Sequence, residues 1–293
     1  MSSNQNLISH QVPPLKKKQR IDDYAKNIFF QYPTKTSIKK ALKKNLLRVN
    51  GDRATTATWI NGGEIITVQL PEIQSLKTKL ELDLEVIFED DHLAIINKPA
   101  GVQVSGNRLV TIANALPQNL RPSTEEDACL TWPVHRLDYG TTGVLVVGKT
   151  AHSIRSLNKQ FQEQEVKKTY YAAAIGKMPL KGTIDSVIDG KTAITHFEVH
   201  KTVSSKRFDQ LNLVMLHPET GRRHQIRKHL AELGNPILGD KDYYKDGLIL
   251  NGKGIYLHAF EIQLKHPHSD QLSKWHSPLP KKYLKIFPDI FES

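Results

Sequence analysis

The chain has 293 residues, of which 39% are hydrophobic and 24% are charged, a balance typical of a globular protein with one large and one small domain. Cys129 is the only cysteine, which excludes an intrachain disulfide and a cysteine-based zinc site. Because no apolar run could span a bilayer and no signal-peptide pattern opens the chain, we expect a cytoplasmic protein.

The positive charge is concentrated near the N-terminus. Residues 1–53 hold 12 Lys or Arg and 3 Asp, a net charge of +9, whereas the remaining residues add only +2 to reach the total of +11. Residues 1–19 are polar, with Pro13-Pro14 and three consecutive lysines, and we expect a flexible basic arm there. A basic segment on a nearly neutral body predicts a polyanion such as nucleic acid as partner, the alternative being a solvated tail.

Residues 20–72 are predicted to form a small α/β domain with two helices. Apolar residues recur at helical spacing from Ile21 to Ile28, and Thr36 or Ser37 can cap a second helix. A strand at 47–49 follows that helix. The basic face of the second helix and this strand supply five cations: Lys39, Lys40, Lys43, Lys44 and Arg48.

A hairpin is predicted to complete this domain, with strands at 55–60 and 65–70 and a turn at Asn61-Gly62-Gly63. The segments RIDDY, TSIKKALKKNLLRVNG and INGGEIITV resemble the small RNA-binding domain first described in ribosomal protein S-four. The resemblance implies that the five cations bind the RNA backbone, which adds affinity but no base specificity. An ordinary solvated helix face is the alternative.

A linker is expected at 73–81, followed by a large domain over 82–293. Because strands outnumber helices without regular βαβ alternation, we predict an α+β fold with a mixed, largely antiparallel central sheet flanked by helices. The apolar pattern predicts helices at 153–162 and 223–233 and strands at 86–88, 93–96, 144–147, 170–175, 194–199 and 211–216.

The segment 133–150, PVHRLDYGTTGVLVVGKT, is the most informative part of the chain. Asp138 lies there in a polar loop, directly before an apolar run typical of a buried strand. A carboxylate that attacks carbon has to be ionised, and a nearby guanidinium favours that form. Arg227, on the predicted helix after Gly221, is the expected supplier. The alternatives are a turn aspartate that caps backbone amides and a surface helix arginine.

These segments resemble the RluA family of RNA pseudouridine synthases over residues 82–281. The matching motifs, in order, are INKPAG, HRLD, VKKTYYAAAIG, GRRHQIRKH and GNPILGDKDY. The resemblance implies that Asp138 is the nucleophile, that Tyr170 is the active-site tyrosine and that Arg227 is the ion-pair partner of the aspartate. It further implies three substrate-binding residues: Arg136, which helps to hold the flipped RNA, His135 and Arg222.

Three departures from the family pattern put substrate choice in question. Thr142 replaces a frequent serine, Arg223 stands where threonine or serine is usual, and QVSGN at 103–107 lacks the common His-Pro. The implied reaction breaks the N1–C1′ bond of a flipped-out uridine and joins C5 to C1′, by sugar attack or a glycal route. No cofactor is expected. We expect a monomer acting on structured RNA, with large-subunit ribosomal RNA favoured over tRNA.

Rival functions have weaker support. GVLVVGKT at 143–150 fits the pattern of a phosphate-binding loop, but its centre reads as a strand. His224 and His229 are five residues apart, which separates them on a helix, and we expect no metal. Glycoside hydrolysis needs a second carboxylate beside Asp138. A non-catalytic RNA-binding or ribosome assembly factor is the remaining alternative, against which Asp138, Tyr170 and Arg227 argue.

Overall fold

The structure is a computed structural model that describes residues 7–26, 28–29, 32, 35–69, 80, 82–106, 108–244, 252–288 and 290. The chain divides into two compact units, Met1–Leu80 and Glu81–Ser293. Apart from Leu80, the expected linker at 73–81 lies outside the described residues. Among the described residues, the helices are too short or too polar to cross a bilayer.

The first unit packs two short helices against two small sheets around a core that includes Ile21, Ile38, Leu47 and Ile66. The elements are β1 (Leu7–Gln11), β2 (Gln19–Arg20), α1 (Ile21–Tyr24), α2 (Lys35–Lys43), β3 (Leu47–Val49), β4 (Asp52–Arg53), β5 (Trp59–Ile60) and β6 (Ile65–Gln69). One sheet has the strand order β1-β6-β3-β4, and the other pairs β2 with β5.

The flexible arm expected at 1–19 is wrong for its described part. β1 pairs antiparallel with β6 from Leu7 to Gln11, and Val12 is buried in the core of the unit. The sequence did not reveal this strand, because a strand pairs through its backbone and the five residues LISHQ do not alternate between apolar and polar. The N-terminal segment covers a sheet edge that would otherwise be open.

The hairpin predicted at 55–60 and 65–70 is also wrong. β5 pairs with β2, and β6 pairs with β1 and β3, so the two strands have different partners. The pairing is non-local, and local turn chemistry at 61–63 could not reveal it. The predicted strand at 47–49 is confirmed, and residues 50–51 form the turn that leads into β4.

The second unit contains ten strands and four helices among the described residues. They are β7 (Glu85–Glu89), β8 (Leu93–Lys98), α3 (Ile112–Asn119), β9 (Ala128–Pro133), β10 (Thr142–Thr150), α4 (Ala151–Gln162), β11 (Lys167–Ile175), β12 (Lys181–Ile188), β13 (Lys191–Ser205), β14 (Asp209–Pro218), α5 (Gln225–Glu232), β15 (Leu257–Lys265), β16 (Leu272–His276) and α6 (Lys281–Leu284).

These strands form one sheet with the order β12-β13-β14-β11-β15-β10-β8-β7, to which β9 adds beside β10 and β16 beside β15. Every pairing is antiparallel except the short parallel contact of β10 with β15. The predicted α+β class with a mixed, largely antiparallel sheet is confirmed. All six predicted strands and both predicted helices of this unit overlap observed elements.

The burial of the central strand β10 explains why the apolar run at 144–147 predicted a strand correctly. Val144 and Val146 pack with Leu157 of α4 in one core cluster, and Leu145 and Val147 are also buried. A strand covered on both faces reads as a continuous apolar run. Gly143 begins the run with φ +109°, and a Cβ there would lie 2.1 Å from the Ala259 carbonyl oxygen. Glycine therefore permits the close approach of β10 to β15.

Candidate active site

A cavity of about 520 Å³ lies in the second unit, where three chain segments meet. They are the loop between β9 and β10, the first part of β11 with the preceding turn, and the segment from the end of β14 into α5. The cavity brings together every residue of this unit that the sequence analysis named for catalysis or substrate binding: His135, Arg136, Asp138, Tyr170, Arg222 and Arg227.

Asp138 lies between two basic side chains. Its Oδ2 is 3.7 Å from Nη1 of Arg227, and its Oδ1 is 3.7 Å from Nε2 of His224. Both distances are within ion-pair range but too long for hydrogen bonds. The Asp138 side chain is 19% exposed and borders the cavity. The carboxylate is thus largely withdrawn from water, faces positive charge and is open to a bound molecule.

Arg227 has closer partners than the predicted one. Its Nε and Nη2 donate to the two carboxylate oxygens of Asp240 at 2.7 Å each, and Nη2 also donates to Asp242 at 2.6 Å. Its guanidinium carbon lies 4.9 Å from the centre of the Tyr243 ring. Burial opposes the charge, but the bonds to Asp240 and Asp242 raise the pKa of Arg227 above its ordinary value. The pair with Asp138 exists, but Asp240 holds the arginine in place.

His224 was weighed in the sequence only as a metal ligand. It precedes α5 in the left-handed conformation, with φ +56°, which is a strained state for a residue with a side chain. Its Nδ1 is hydrogen-bonded to the Tyr243 hydroxyl at 3.0 Å, which directs Nε2 towards Asp138. Burial lowers the pKa of His224, and the charge of Asp138 works against that shift. Strained backbone often accompanies functional sites.

Lys98, from the INKPAG motif, supports the loop that carries Asp138. Its buried ammonium donates to the carbonyl oxygens of Pro99 and Thr141 at 2.9 Å and of Tyr139 at 3.3 Å. Burial lowers the pKa of Lys98 to about 8, while the charge of Asp138 works to raise it. The lysine therefore ties the end of β8 to the residues on the C-terminal side of Asp138.

Two further cavity residues, Tyr170 and Lys168, have shifted pKa values. Burial, assisted by the negative charge of Asp138, raises the pKa of the Tyr170 hydroxyl, which keeps its proton at neutral pH. Burial also lowers the pKa of Lys168 to about 8. The Lys168 ammonium donates to the Thr220 carbonyl oxygen at 3.3 Å. Lys168 is part of the VKKTY motif, in which no sequence feature distinguishes it from its neighbour Lys167.

The three predicted substrate-binding residues have different surroundings. Nε2 of His135 accepts a hydrogen bond from the Val146 amide at 3.0 Å, and the ring stacks on Phe161 with centres 4.7 Å apart. Burial lowers the pKa of His135 to about 3, so this imidazole is neutral and braces the loop against β10. Arg222 donates from Nε to the Thr192 carbonyl oxygen at 3.2 Å, whereas Arg136 is exposed at the cavity.

The described residues contain no group of three or more His, Cys, Asp or Glu side chains arranged to hold a metal ion. The GVLVVGKT segment, which fits the pattern of a phosphate-binding loop, coincides with β10. Lys149 at its end is buried and paired with Glu89 at 2.8 Å. The Lys149 ammonium is therefore paired with Glu89 inside the fold and is not available to bind a phosphate.

Comparison with known proteins decides the family. A family model described as RNA pseudouridylate synthase matches residues 92–232, which include Asp138, Tyr170 and Arg227. Ribosomal large subunit pseudouridine synthase D from Nitrosomonas europaea is 34% identical, over 94% of this chain and 86% of that protein. This chain belongs to the RNA pseudouridine synthase family.

Other members support the same assignment. Ribosomal large subunit pseudouridine synthase C from Vibrio parahaemolyticus is 31% identical, over 92% of this chain and 91% of that protein. Human RNA pseudouridylate synthase domain containing 4 superposes with a TM-score of 0.56 at 25% identity, over 68% of this chain and 90% of that one. The resemblance to the RluA family is confirmed, and the protein is an RNA pseudouridine synthase, an isomerase.

Proposed function

We propose that this synthase isomerises specific uridines of large-subunit ribosomal RNA, with Asp138 as its nucleophile. The observation that carries the nucleophile is the position of Asp138, a cavity-lining carboxylate with a basic side chain 3.7 Å from each oxygen. The substrate is supported by two relatives that match over most of their length and are ribosomal large subunit pseudouridine synthases.

The reaction needs a uridine outside its base stack, because C1′ and C5 are out of reach inside a helix. The cavity of about 520 Å³ is large enough for one nucleoside, by comparison with the usual size of small-ligand pockets. In our proposal the uracil lies against Tyr170 and the sugar faces Asp138. Arg136, exposed at the cavity, then holds the RNA from which the nucleotide has been flipped.

The bond changes balance without a cofactor. The N1–C1′ bond breaks with its electron pair on the uracil, the base turns, C5 bonds to C1′, and the C5 proton leaves while N1 gains one. Asp138 either adds to the sugar carbon or removes a sugar proton to form a glycal, and both routes require the ionised form. Arg227 lies 3.7 Å from one oxygen of this carboxylate and His224 lies 3.7 Å from the other.

The first unit supplies affinity for the RNA backbone in this proposal. Lys39, Lys40, Lys43, Lys44 and Arg48 are all exposed. Arg48 and Arg53 are directly opposite each other in the pairing of β3 with β4. Like charges in that position are unfavourable in the free protein, and an anion such as a phosphate between them would remove the conflict. This arrangement supports the S-four-like role.

The proposal is tested by tritium release from transcripts labelled at C5 of uridine. Purified wild-type protein is expected to release tritium from large-subunit ribosomal RNA and not from tRNA. Asp138→Asn is nearly isosteric but cannot act as nucleophile or base, and it is expected to bind RNA and release none. Turnover by a clean Asp138→Asn preparation would contradict the nucleophile. Release from tRNA alone would contradict the substrate.

A further inference from the structure

The first unit has an exposed tryptophan with two cations over its ring, and these residues lie outside the lysine-rich helix α2. Trp59 of β5 is 44% exposed, although large apolar side chains are usually covered. The Arg20 guanidinium lies 4.6 Å and the Lys18 ammonium 5.0 Å from ring centres of the indole. These are cation–π distances.

The fold holds this tryptophan at the surface. Ile60, the next residue, is completely buried in the core, so strand alternation directs Trp59 outward. Arg20 of β2 is directly opposite Trp59 in the antiparallel pair, which sets both side chains on one face. Arg20 also donates to the Thr56 carbonyl oxygen at 3.4 Å. The aromatic surface is therefore positioned before any partner arrives.

A planar aromatic surface beside two cations fits unpaired nucleic acid. A base stacks on the indole with little dependence on sequence, and the cations that lie over the ring in the free protein move to the flanking phosphates. The local charge suits a polyanion, because residues 1–53 carry +9 and the exposed Lys16 and Lys17 adjoin Lys18. We propose that Trp59, Arg20 and Lys18 form a stacking site for an unpaired base of the RNA substrate. This inference rests on the proposed RNA partner.

The test compares single-stranded and paired RNA on the full-length protein. Binding of a fluorescein-labelled oligouridylate and of a blunt RNA duplex is measured by anisotropy for wild type, Trp59→Ala and Trp59→Phe. We expect Trp59→Ala to weaken oligouridylate binding by about fivefold or more, with duplex binding unchanged, and Trp59→Phe to retain most of the affinity. Equal affinity of Trp59→Ala and wild type for oligouridylate, or an equal loss for both RNAs, would overturn the inference.

A second measurement does not depend on the folding of the alanine variant. Trp59 emission, taken as the wild-type spectrum minus that of Trp59→Phe, is expected to be quenched by oligouridylate. An unquenched difference spectrum would also overturn the inference. Arg20→Gln is expected to reduce the dependence of log Kd on log salt by about 0.7, as for one lost phosphate contact on a single strand. An unchanged slope would contradict its assigned role.

Tritium release separates this inference from the proposed function. An enzyme that releases tritium but binds oligouridylate independently of Trp59 refutes the stacking site and leaves the isomerase proposal intact. Binding and quenching that depend on Trp59, in a protein that releases no tritium from ribosomal RNA, support the stacking site and refute the proposed substrate.

Discussion

The Asp240 carboxylate is expected to be the main support of Arg227, and Asp240→Asn isolates its charge. Its side chain is fully buried and accepts two 2.7 Å hydrogen bonds from the guanidinium. Asparagine keeps the shape but presents an NH₂ group to one of those N–H donors, so one charge-assisted bond is lost. Such bonds contribute about 1.5–3 kcal/mol. An unpaired buried charge would cost about 3–5 kcal/mol of stability. The cost of Asp240→Asn is expected to be smaller, because Asp242 still contacts Arg227.

Calorimetry and tritium release measure the two consequences. A loss of about 1.5–3 kcal/mol lowers the Tm of a domain of this size by roughly 3–12 °C. Activity is expected to fall as well, because Arg227 is released from its position 3.7 Å from Asp138. Asp242→Asn is the matched control. The Asp242 side chain is 62% exposed, and its loss is expected to cost less than about 1 kcal/mol.

The pH dependence gives the prediction a second test. Burial is the largest single effect and would raise the pKa of Asp240. The hydrogen bonds from Arg227 and from the Asp242 and Tyr243 amides, together with the Arg227 charge, outweigh it and lower the pKa below its ordinary 3.8. A depressed carboxyl pKa contributes stability above the unfolded-state value, and that stability is lost as pH falls through the folded-state pKa. The Tm gap between wild type and Asp240→Asn is therefore expected at pH 7 and should narrow below about pH 4. A gap that is absent at pH 7, or equal to that of Asp242→Asn, would refute the reasoning.

Three further predictions concern the surroundings of Asp138. Tyr243→Phe removes the hydroxyl bound to His224 but keeps the ring near Arg227, and kcat is expected to fall by roughly tenfold or less, as for one hydrogen bond, with KM unchanged; a change in KM alone would contradict it. The double variant Tyr243→Phe/Asp240→Asn is expected to show a coupling energy of about 0.5–3 kcal/mol in kcat/KM. Strictly additive effects would mean that the two contacts act independently. Lys168, whose pKa is lowered to about 8, loses its positive charge as the pH rises, so kcat/KM is expected to decline above pH 8. Lys168→Arg is expected to move that decline to higher pH, because arginine stays charged. An unchanged pH profile would mean that another group causes the decline.

The sequence predicted the parts of the fold whose burial leaves a pattern. The run at 144–147 identified a strand because both of its faces are covered, and the helix at 153–162 showed its apolar face. β1 and the pairing of β5 with β2 were missed, because those short strands are joined through backbone bonds between residues distant in sequence. Side-chain pattern carries no information about such partners.

The sequence predicted which residues form the candidate site but only some of the contacts between them. The motifs identified Asp138, Tyr170 and Arg227, and the structure brings all three to one cavity. The partners that hold Arg227 and His224 could not be derived, because they come from the separate segment 240–243. Spacing along α5 places Arg227 on a face of the helix, but the tertiary fold decides which carboxylate that face meets.

The segment 240–243 holds both basic side chains that face Asp138. Asp240 fixes Arg227, and Tyr243 both contacts Arg227 and orients His224, so one short segment determines the position of both groups that face Asp138. A carboxylate between two independently mobile side chains would sample many geometries, whereas here Arg227 and His224 are both held by the segment 240–243. Preorganised charge around a reacting group needs no rearrangement during the reaction. The segment 240–243 therefore determines the geometry around Asp138, the proposed nucleophile, although it lies outside the motif that contains this residue.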